Sequence, residues 1–501
     1  MNASTRSAVD QTLIAAKAAK PDKLALVTDP GGRDGALTWA QLDHRTGVLA
    51  AALTEAVPAG GGGSWAVEVD NDNVASSVLL LIAALRTDIP IVVMDRLGSD
   101  DEQQATADEL RRAGVSTVGL ARDDSSGVTV QPRCRPQRDP AGRWPNLAPH
   151  TLILASGGTS GSPKLVADAS LRRTGPRHGA LRVTRRLNWS ADQTQLVTGR
   201  LHHSAPLTFF IYGLIDANLL VVPPRFAPSL AVQLIGELRV NWLEATPFQL
   251  ERMGAWLQRH PSETDSIRGL LHMSAPCPPA TKNFWISRLG PERIFEIYGA
   301  TEGIGLTVAS GAEWLARPGT VGRGFLTQIR VLDEKMTRLR PGTDGLIFLR
   351  SLGGPRPVYL RGSGLLLSPD GFSSVGDRGQ LDEDGYLYLE PRRIDLINVG
   401  GENVYPAEVE QVLVRCPGIA GAAVTGMADE RLGARPVAFV TCWPGAAVTE
   451  RAAIAFCHQH LARFKLPKRI IQVSEIPHTP AGKIDRKRLA GMLPPDPADQ
   501  N

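Results

Sequence analysis

Apolar positions along the chain recur in two rhythms that alternate. Residues 37–54, LTWAQLDHRTGVLAAALT, place apolar side chains at helical spacing behind Thr38, a residue type that caps helix N-termini. The most apolar stretch, Val78 to Met94, is interrupted by Arg86, Asp88 and Pro90. It predicts a buried helix, a tight turn and a strand, IPIVV, and is too short and too broken to span a bilayer. Short apolar runs at TLILA (151–155), KLVAD (164–168), LLVVP (219–223) and RIFEIYG (293–299) predict strands. Helical spacing runs from Leu230 to Arg239 and from Pro247 to His260. Strands alternating with helices predict α/β layering. GLIFLRS (345–351) and GYLYLEPR (385–392), the second behind the turn DEDG, predict a β-rich region. Residues 121–149 are polar and Pro-rich with few apolar anchors, which predicts a loop or a subdomain connection.

After Arg392 the texture changes. PAEVEQVLVRC predicts a helix, GAAVTGM and VAFVTCW predict strands, and ERAAIAFCHQHLARF predicts another helix. The expected architecture is α/β. Residues 1–391 form a large N-terminal domain of layered α/β subdomains with a β-rich subdomain, and 392–501 a small α+β C-terminal domain. The chain shows no internal repeat.

Composition narrows the class only a little. The 501 residues exceed one ordinary domain. A formal net charge of +4 gives no argument for nucleic acid or a membrane surface. Five cysteines lie scattered, none at metal-ligand spacing, as expected of a reduced, cytoplasmic protein. The first 23 residues lack the continuous apolar core of a signal peptide.

The strongest local signal is LASGGTSGSPKL, residues 154–165. Glycines and hydroxyls after a strand make a loop whose N–H and O–H groups approach an anion closely, and Lys164 adds a cation. The loop does not match GxxxxGK[ST]: a proline precedes the lysine and no Ser or Thr follows it. A flexible Gly/Ser linker is the alternative, and the flanking strands argue against it.

Four further segments join this loop. They are YGATE (298–302), SVGDRG (374–379), RRIDLINVGGENVYPAEVE (392–410) and TPAGKIDRKRL (479–489). Together, and in this order, they resemble the adenylate-forming superfamily of acyl- and aryl-CoA ligases, luciferase and peptide-synthetase adenylation domains. The resemblance runs from about residue 37 to 489. It implies that a carboxylate attacks the α-phosphate of ATP and expels pyrophosphate, an anion meeting a polyanion.

The resemblance also implies roles. Ser156, Gly157, Thr159, Ser160, Gly161 and Lys164 would cradle the β- and γ-phosphates, and Glu302 would hold Mg²⁺. Tyr298 and Gly299 would lie on the adenine, with Ala275 and Pro276 of SAPCPP beside it. Thr301 would contact the α-phosphate, Asp377 would accept from the ribose hydroxyls, and Arg392 would reach the ribose or phosphate. Lys483 would swing in on a mobile C-terminal domain and neutralise charge as the bond forms. His203 of RLHHSAP would stand beside the acyl group, and Phe209, Phe210 and Tyr212 either line the acid pocket or are plain core. Cys277 has no basic neighbour in sequence and is expected to be a bystander.

One position departs from the family pattern. Counting back from Gly400 and Gly401, the hinge residue falls on Ile394, where the family usually carries aspartate or lysine; Asp395 is one place later. VGGENVYPAEVE resembles CoA ligases, and LHHSAP resembles ligases for bulky or aromatic acids. An acid–CoA ligase is therefore the leading expectation, with CoA as co-substrate. Arg463, Lys465, Lys468 and Arg469 are candidates for the CoA phosphates or a solvated basic face. An amide bond synthetase with an amine acceptor stands second, and an adenylating enzyme that loads a carrier protein third.

Overall fold

The computed structural model describes residues 7–29, 35–57, 64–70, 73–94, 100–122, 128–134, 147–148, 151–156, 164–168, 182–352, 358–360, 365–390, 397–399, 402–404, 406–429, 433–461, 463–478 and 484–493. The chain divides into two compact units, Met1–Tyr388 and Leu389–Asn501.

The larger unit is built on sheets whose strands the apolar runs anticipate. Among the described residues, one sheet has nine strands, with parallel Leu24–Val27, Leu219–Val221, Thr194–Val197, Trp242–Ala245, Gly269–His272 and Ile294–Gly299 side by side. Antiparallel strands, Leu306–Ser310 among them, extend it at both ends. A second sheet has seven strands, with Ser64–Asp70, Ile91–Met94, Val115–Arg122 and Leu152–Ser156 in parallel. Lys164–Asp168 runs antiparallel to Leu152–Ser156, and Val358–Tyr359 pairs with it at the edge. A third, antiparallel sheet of six strands includes Gly345–Ser351 and Arg378–Leu381.

Helices fill the space between the first two sheets. Ala8–Ala19, Trp39–Ala56, Ala75–Arg86 and Ser204–Ile215 contribute Leu13, Leu42, Ile82 and Phe210 to one core that also contains Leu26 and Leu220 from the first sheet and Val67 and Val93 from the second. The helix Trp39–Ala56 starts where the pattern places it, with Thr38 and Gln41 forming a capping box. Helix Ala75–Arg86 and strand Ile91–Met94 reproduce the expected helix, turn and strand.

Arg86, which breaks the apolar run, pins three of these helices. Its guanidinium lies 2.7 Å from Asp10 and 3.0 Å from Asp43, and donates to the Asp43 carbonyl at 2.8 Å and Thr46 Oγ1 at 2.9 Å. Burial pushes the Asp43 carboxyl up, but Lys17 and Arg86 outweigh it and hold it below its usual value.

The segment expected to be a loop from 121 contains a strand. Val128–Cys134 pairs antiparallel with Val115–Arg122 at the edge of the seven-stranded sheet. Val128 and Val130 alternate with Thr129 and Gln131, which suits a strand, and Pro132 sits where an edge tolerates it. The register shifts between Thr117 and Val118, a bulge beside that proline.

The smaller unit carries a five-stranded sheet among its described residues, dominated by the antiparallel pair Ile419–Asp429 and Gly433–Cys442. Helices Pro406–Val414 and Glu450–His460 bury Val409, Leu413, Ala453 and Cys457 in its core. Arg486 donates to Glu410 Oε1 at 2.7 Å and to the Val424 carbonyl at 2.6 Å, tying helix Arg486–Gly491 to this sheet. Lys465 donates to Glu408 at 2.7 Å, and Arg469 lies 3.7 Å from Glu450. Two of the four candidate phosphate-binding cations therefore face acids of their own unit. Among the described residues, no helix is long and apolar enough to cross a membrane.

Replacing Arg86 with alanine removes the guanidinium shared by two largely buried acids, Asp10 and Asp43. Such a change is expected to cost about 3 kcal/mol of stability, read from urea unfolding. An unchanged midpoint would deny Arg86 this structural role.

Candidate active site

In parallel sheets, loops at the carboxyl ends of the strands form the binding crevice. Strand Ile294–Gly299 delivers Tyr298 and Gly299 to that edge, and the turn into strand Leu306–Ser310 carries Thr301 and Glu302. The Tyr298 hydroxyl donates to Asp377 Oδ2 at 2.9 Å. Asp377 precedes strand Arg378–Leu381 of the six-stranded sheet, and its carbonyl accepts from Ile347 N at 2.8 Å. The glycines of SVGDRG shape this corner. Gly376 has φ 89°, and a Cβ on Gly379 would lie 2.0 Å from the Tyr388 carbonyl oxygen. One hydrogen bond thus joins the proposed adenine-stacking ring to the proposed ribose acceptor.

A second tyrosine closes the other side. Tyr359, on the edge strand Val358–Tyr359 of the seven-stranded sheet, donates to Glu302 Oε1 at 2.7 Å. Burial, then the hydrogen bond and charge of Glu302, push its phenol above the ordinary value, so it stays a donor at neutral pH. Lys164 Nζ lies 5.7 Å from the centre of the same ring. Lys164 opens strand Lys164–Asp168 and pairs in register with Ser156, the last residue of Leu152–Ser156. The lysine closing the glycine loop therefore approaches the candidate Mg²⁺ carboxylate through Tyr359. Among the described residues, no three His, Cys, Asp or Glu side chains converge as a metal cage. A single half-buried carboxylate suits Mg²⁺, which takes one or two carboxylates and completes its shell with water and phosphate oxygens.

Thr301 meets a third element. Its Oγ1 lies 3.3 Å from Ser204 Oγ, at the start of helix Ser204–Ile215. His203 is the residue before that helix, and its ring centre lies 3.9 Å from that of His202. Burial, with His203 and Arg200 adding repulsion, lowers the His202 pKa to about 2, so that imidazole stays neutral. On the same helix Phe210 enters the core between the sheets, whereas Phe209 packs with Trp189, Trp242 and Tyr212.

Ala275 and Pro276 lie just beyond strand Gly269–His272, which runs beside the strand carrying Tyr298. Ser274 adopts φ 78°, uncommon for a residue with a Cβ. Burial pushes the Cys277 thiol up to about 12, so it is protonated at neutral pH.

Gly157, Thr159, Ser160, Gly161, Arg392, Ile394, Asp395 and Lys483 lie outside the described residues, as does the Ser156 side chain. Two contributors escaped the sequence reading. Tyr359 stands in a two-residue strand with no periodicity to mark it, and Ser204 sits inside RLHHSAP, where the histidines drew the attention.

Residues 14–354 match the family described as AMP-binding enzyme, and residues 408–483 match the AMP-binding enzyme C-terminal domain. The chain belongs to the AMP-binding enzyme family. Among curated relatives in this family, a 2-succinylbenzoate–CoA ligase from Bacillus cytotoxicus is 30% identical over 356 residues, covering 70% of this chain and 71% of its own. A sulfoacetate–CoA ligase from Cupriavidus necator is 28% identical and covers 98% of this chain and 99% of its own. Of solved structures, the amide bond synthetase McbA from Marinactinospora thermotolerans superposes with a TM-score of 0.72 at 22% identity, covering 97% of this chain and 99% of its own. That likeness shows the fold of this AMP-binding enzyme.

The contact between Tyr359 and Glu302 is open to a double-mutant cycle. Tyr359→Phe and Glu302→Ala are expected to couple by about 1–2 kcal/mol in urea unfolding. Purely additive effects would show that the two side chains do not interact.

Proposed function

We propose that this enzyme activates a carboxylic acid, bulky or aromatic, with ATP to an acyl-adenylate and then transfers the acyl group to CoA. The observation that supports this most is the convergence on residues 298–302. Tyr298 meets Asp377, Thr301 meets Ser204, and Glu302 meets Tyr359 beside Lys164.

The chemistry follows from charge. A carboxylate oxygen attacks the α-phosphorus, the bond to the bridging oxygen breaks, and pyrophosphate leaves with both electrons. Thr301 orients the α-phosphate, and Tyr298, Ala275 and Pro276 enclose the base while Asp377 accepts from the ribose. Thr159, Ser160, Gly161 and Lys164 take the β- and γ-phosphates. Glu302 is the residue that would hold Mg²⁺, which when bound offsets phosphate charge. Lys483 neutralises the charge that gathers between carboxylate and phosphate, and Arg392 contacts the ribose or phosphate. His203 lies beside the acyl group. In the second step a nucleophile adds to the acyl carbonyl and AMP departs with one oxygen of the original carboxylate. Residues 392–501 serve as the mobile domain in this scheme, and the protein works in the cytoplasm.

An amide synthetase that delivers the acyl group to an amine is the second reading. Its support is the fold shared with the amide bond synthetase McbA; Ile394 in the hinge does not choose between acceptors.

The test is pyrophosphate release over aliphatic, aryl and polycyclic acids, with CoA, a simple amine or neither. Stimulation by CoA with an acyl-CoA product supports the ligase, and an amide formed with amine alone replaces it with the synthetase. No release with any acid would overturn both. Lys483→Ala is expected to lower adenylate formation by about 100-fold or more, the scale of losing one transition-state charge partner, and to spare transfer from a supplied acyl-adenylate. Equal loss of both half-reactions would contradict the role given to Lys483.

A further inference from the structure

One buried acid has no task in the mechanism above. Glu244 lies in strand Trp242–Ala245, between Thr194–Val197 and Gly269–His272, in register with Val197 and Leu271. It is 2% exposed, and its Oε2 has no hydrogen-bond partner among the described residues. Side chains two apart on a strand share a face. Trp242 therefore marks the face of Glu244, and Trp242 packs 5.0 Å from Phe209, ring centre to ring centre, on helix Ser204–Ile215. Glu244 stands under that helix, nearer the carboxyl end of the strand.

Its surroundings point toward the reaction centre. A Cβ on Gly199 would lie 3.5 Å from Glu244 Oε2 and 2.9 Å from the Pro206 ring. The carboxyl is thus beside the first turn of the helix whose Ser204 touches Thr301. Two neighbouring polar side chains, Thr198 and Gln249, are already committed. Thr198 Oγ1 donates to the Glu244 carbonyl at 2.8 Å, and the Gln249 amide donates to the Thr198 carbonyl at 2.9 Å. They fix the backbone, and among the described residues none of them serves Oε2. Burial raises its pKa to about 8, so at neutral pH it is mostly a neutral acid that both donates and accepts. Native proteins rarely leave such a group unmatched without a functional reason.

We propose that Glu244 selects the acid substrate, taking a hydrogen bond from an N–H group on the body of an aromatic carboxylic acid. The aromatic cluster of Phe209, Trp242 and Trp189 packs on the same face of the sheet and gives this region an apolar wall, in which Glu244 is a polar point. An amino substituent or a ring N–H satisfies the carboxyl, whereas an acid without a donor leaves it buried and unmatched. The assignment rests on the acid-activating function proposed above.

The experiment compares indole carboxylates, substituted at C2, C3 or C5, with the matching benzofuran carboxylates, which keep the shape and lose the N–H. Aminobenzoates are paired with methylbenzoates in the same way. In the wild-type enzyme, kcat/KM for pyrophosphate release is expected to favour the best N–H acid over its partner by at least about tenfold. Glu244→Met is expected to bring that ratio within about twofold while retaining turnover of the N–H-free acid. Glu244→Gln, which keeps an acceptor, retains part of the preference and serves if the Met variant does not fold. Equal use of both members by the wild type, or an undiminished preference in Glu244→Met, overturns the proposal. Calorimetric binding of the same acid pairs, with a non-hydrolysable ATP analogue present, separates the two ideas. Absence of pyrophosphate release with every acid defeats the proposed function. The binding ratio between paired acids then still decides the role of Glu244.

Discussion

Two tyrosine hydroxyls, each donating to a carboxylate, hold the segment from Tyr298 to Glu302 among three sheets. Tyr298 reaches from the nine-stranded sheet to Asp377 just before a strand of the six-stranded sheet, and Tyr359 reaches from the seven-stranded sheet to Glu302. The two bonds join residues 79 and 57 positions apart in the chain. The helix Ser204–Ile215 adds the third fixed point through Ser204 and Thr301.

The same arrangement meets the electrostatic problem of adenylation. The two acids accept from different tyrosines, Asp377 from Tyr298 and Glu302 from Tyr359. Lys164 stands over the ring of Tyr359, whose hydroxyl donates to Glu302, so a cation and the proposed Mg²⁺ carboxylate share one tyrosine. Preorganised charge of this kind acts with little reorganisation during the reaction.

Local patterns carried much of this architecture. The capping box at Thr38, the helix and strand within Val78–Met94, and the strands flanking the glycine loop follow from periodicity and end signals over a few residues. What escaped depends on distant partners. Arg86 reads as an interruption of an apolar run, yet it pairs with Asp10 and Asp43, 76 and 43 residues away. Tyr359 has no pattern of its own. Val128–Cys134 was hidden by Pro132, because edge position is a property of the sheet and not of the segment. Glu244 did carry a signal, a lone acid inside the short apolar run WLEA, which the sequence reading passed over.

The central claim is that a carboxylate becomes bonded to the α-phosphate of ATP, and isotope transfer tests it most directly. An acid that supports pyrophosphate release is labelled with ¹⁸O in its carboxylate and turned over with ATP and an acceptor, and the AMP is weighed by mass spectrometry. Adenylation predicts AMP carrying one ¹⁸O from the acid and pyrophosphate carrying none. Unlabelled AMP, or label appearing in pyrophosphate or inorganic phosphate, would contradict it.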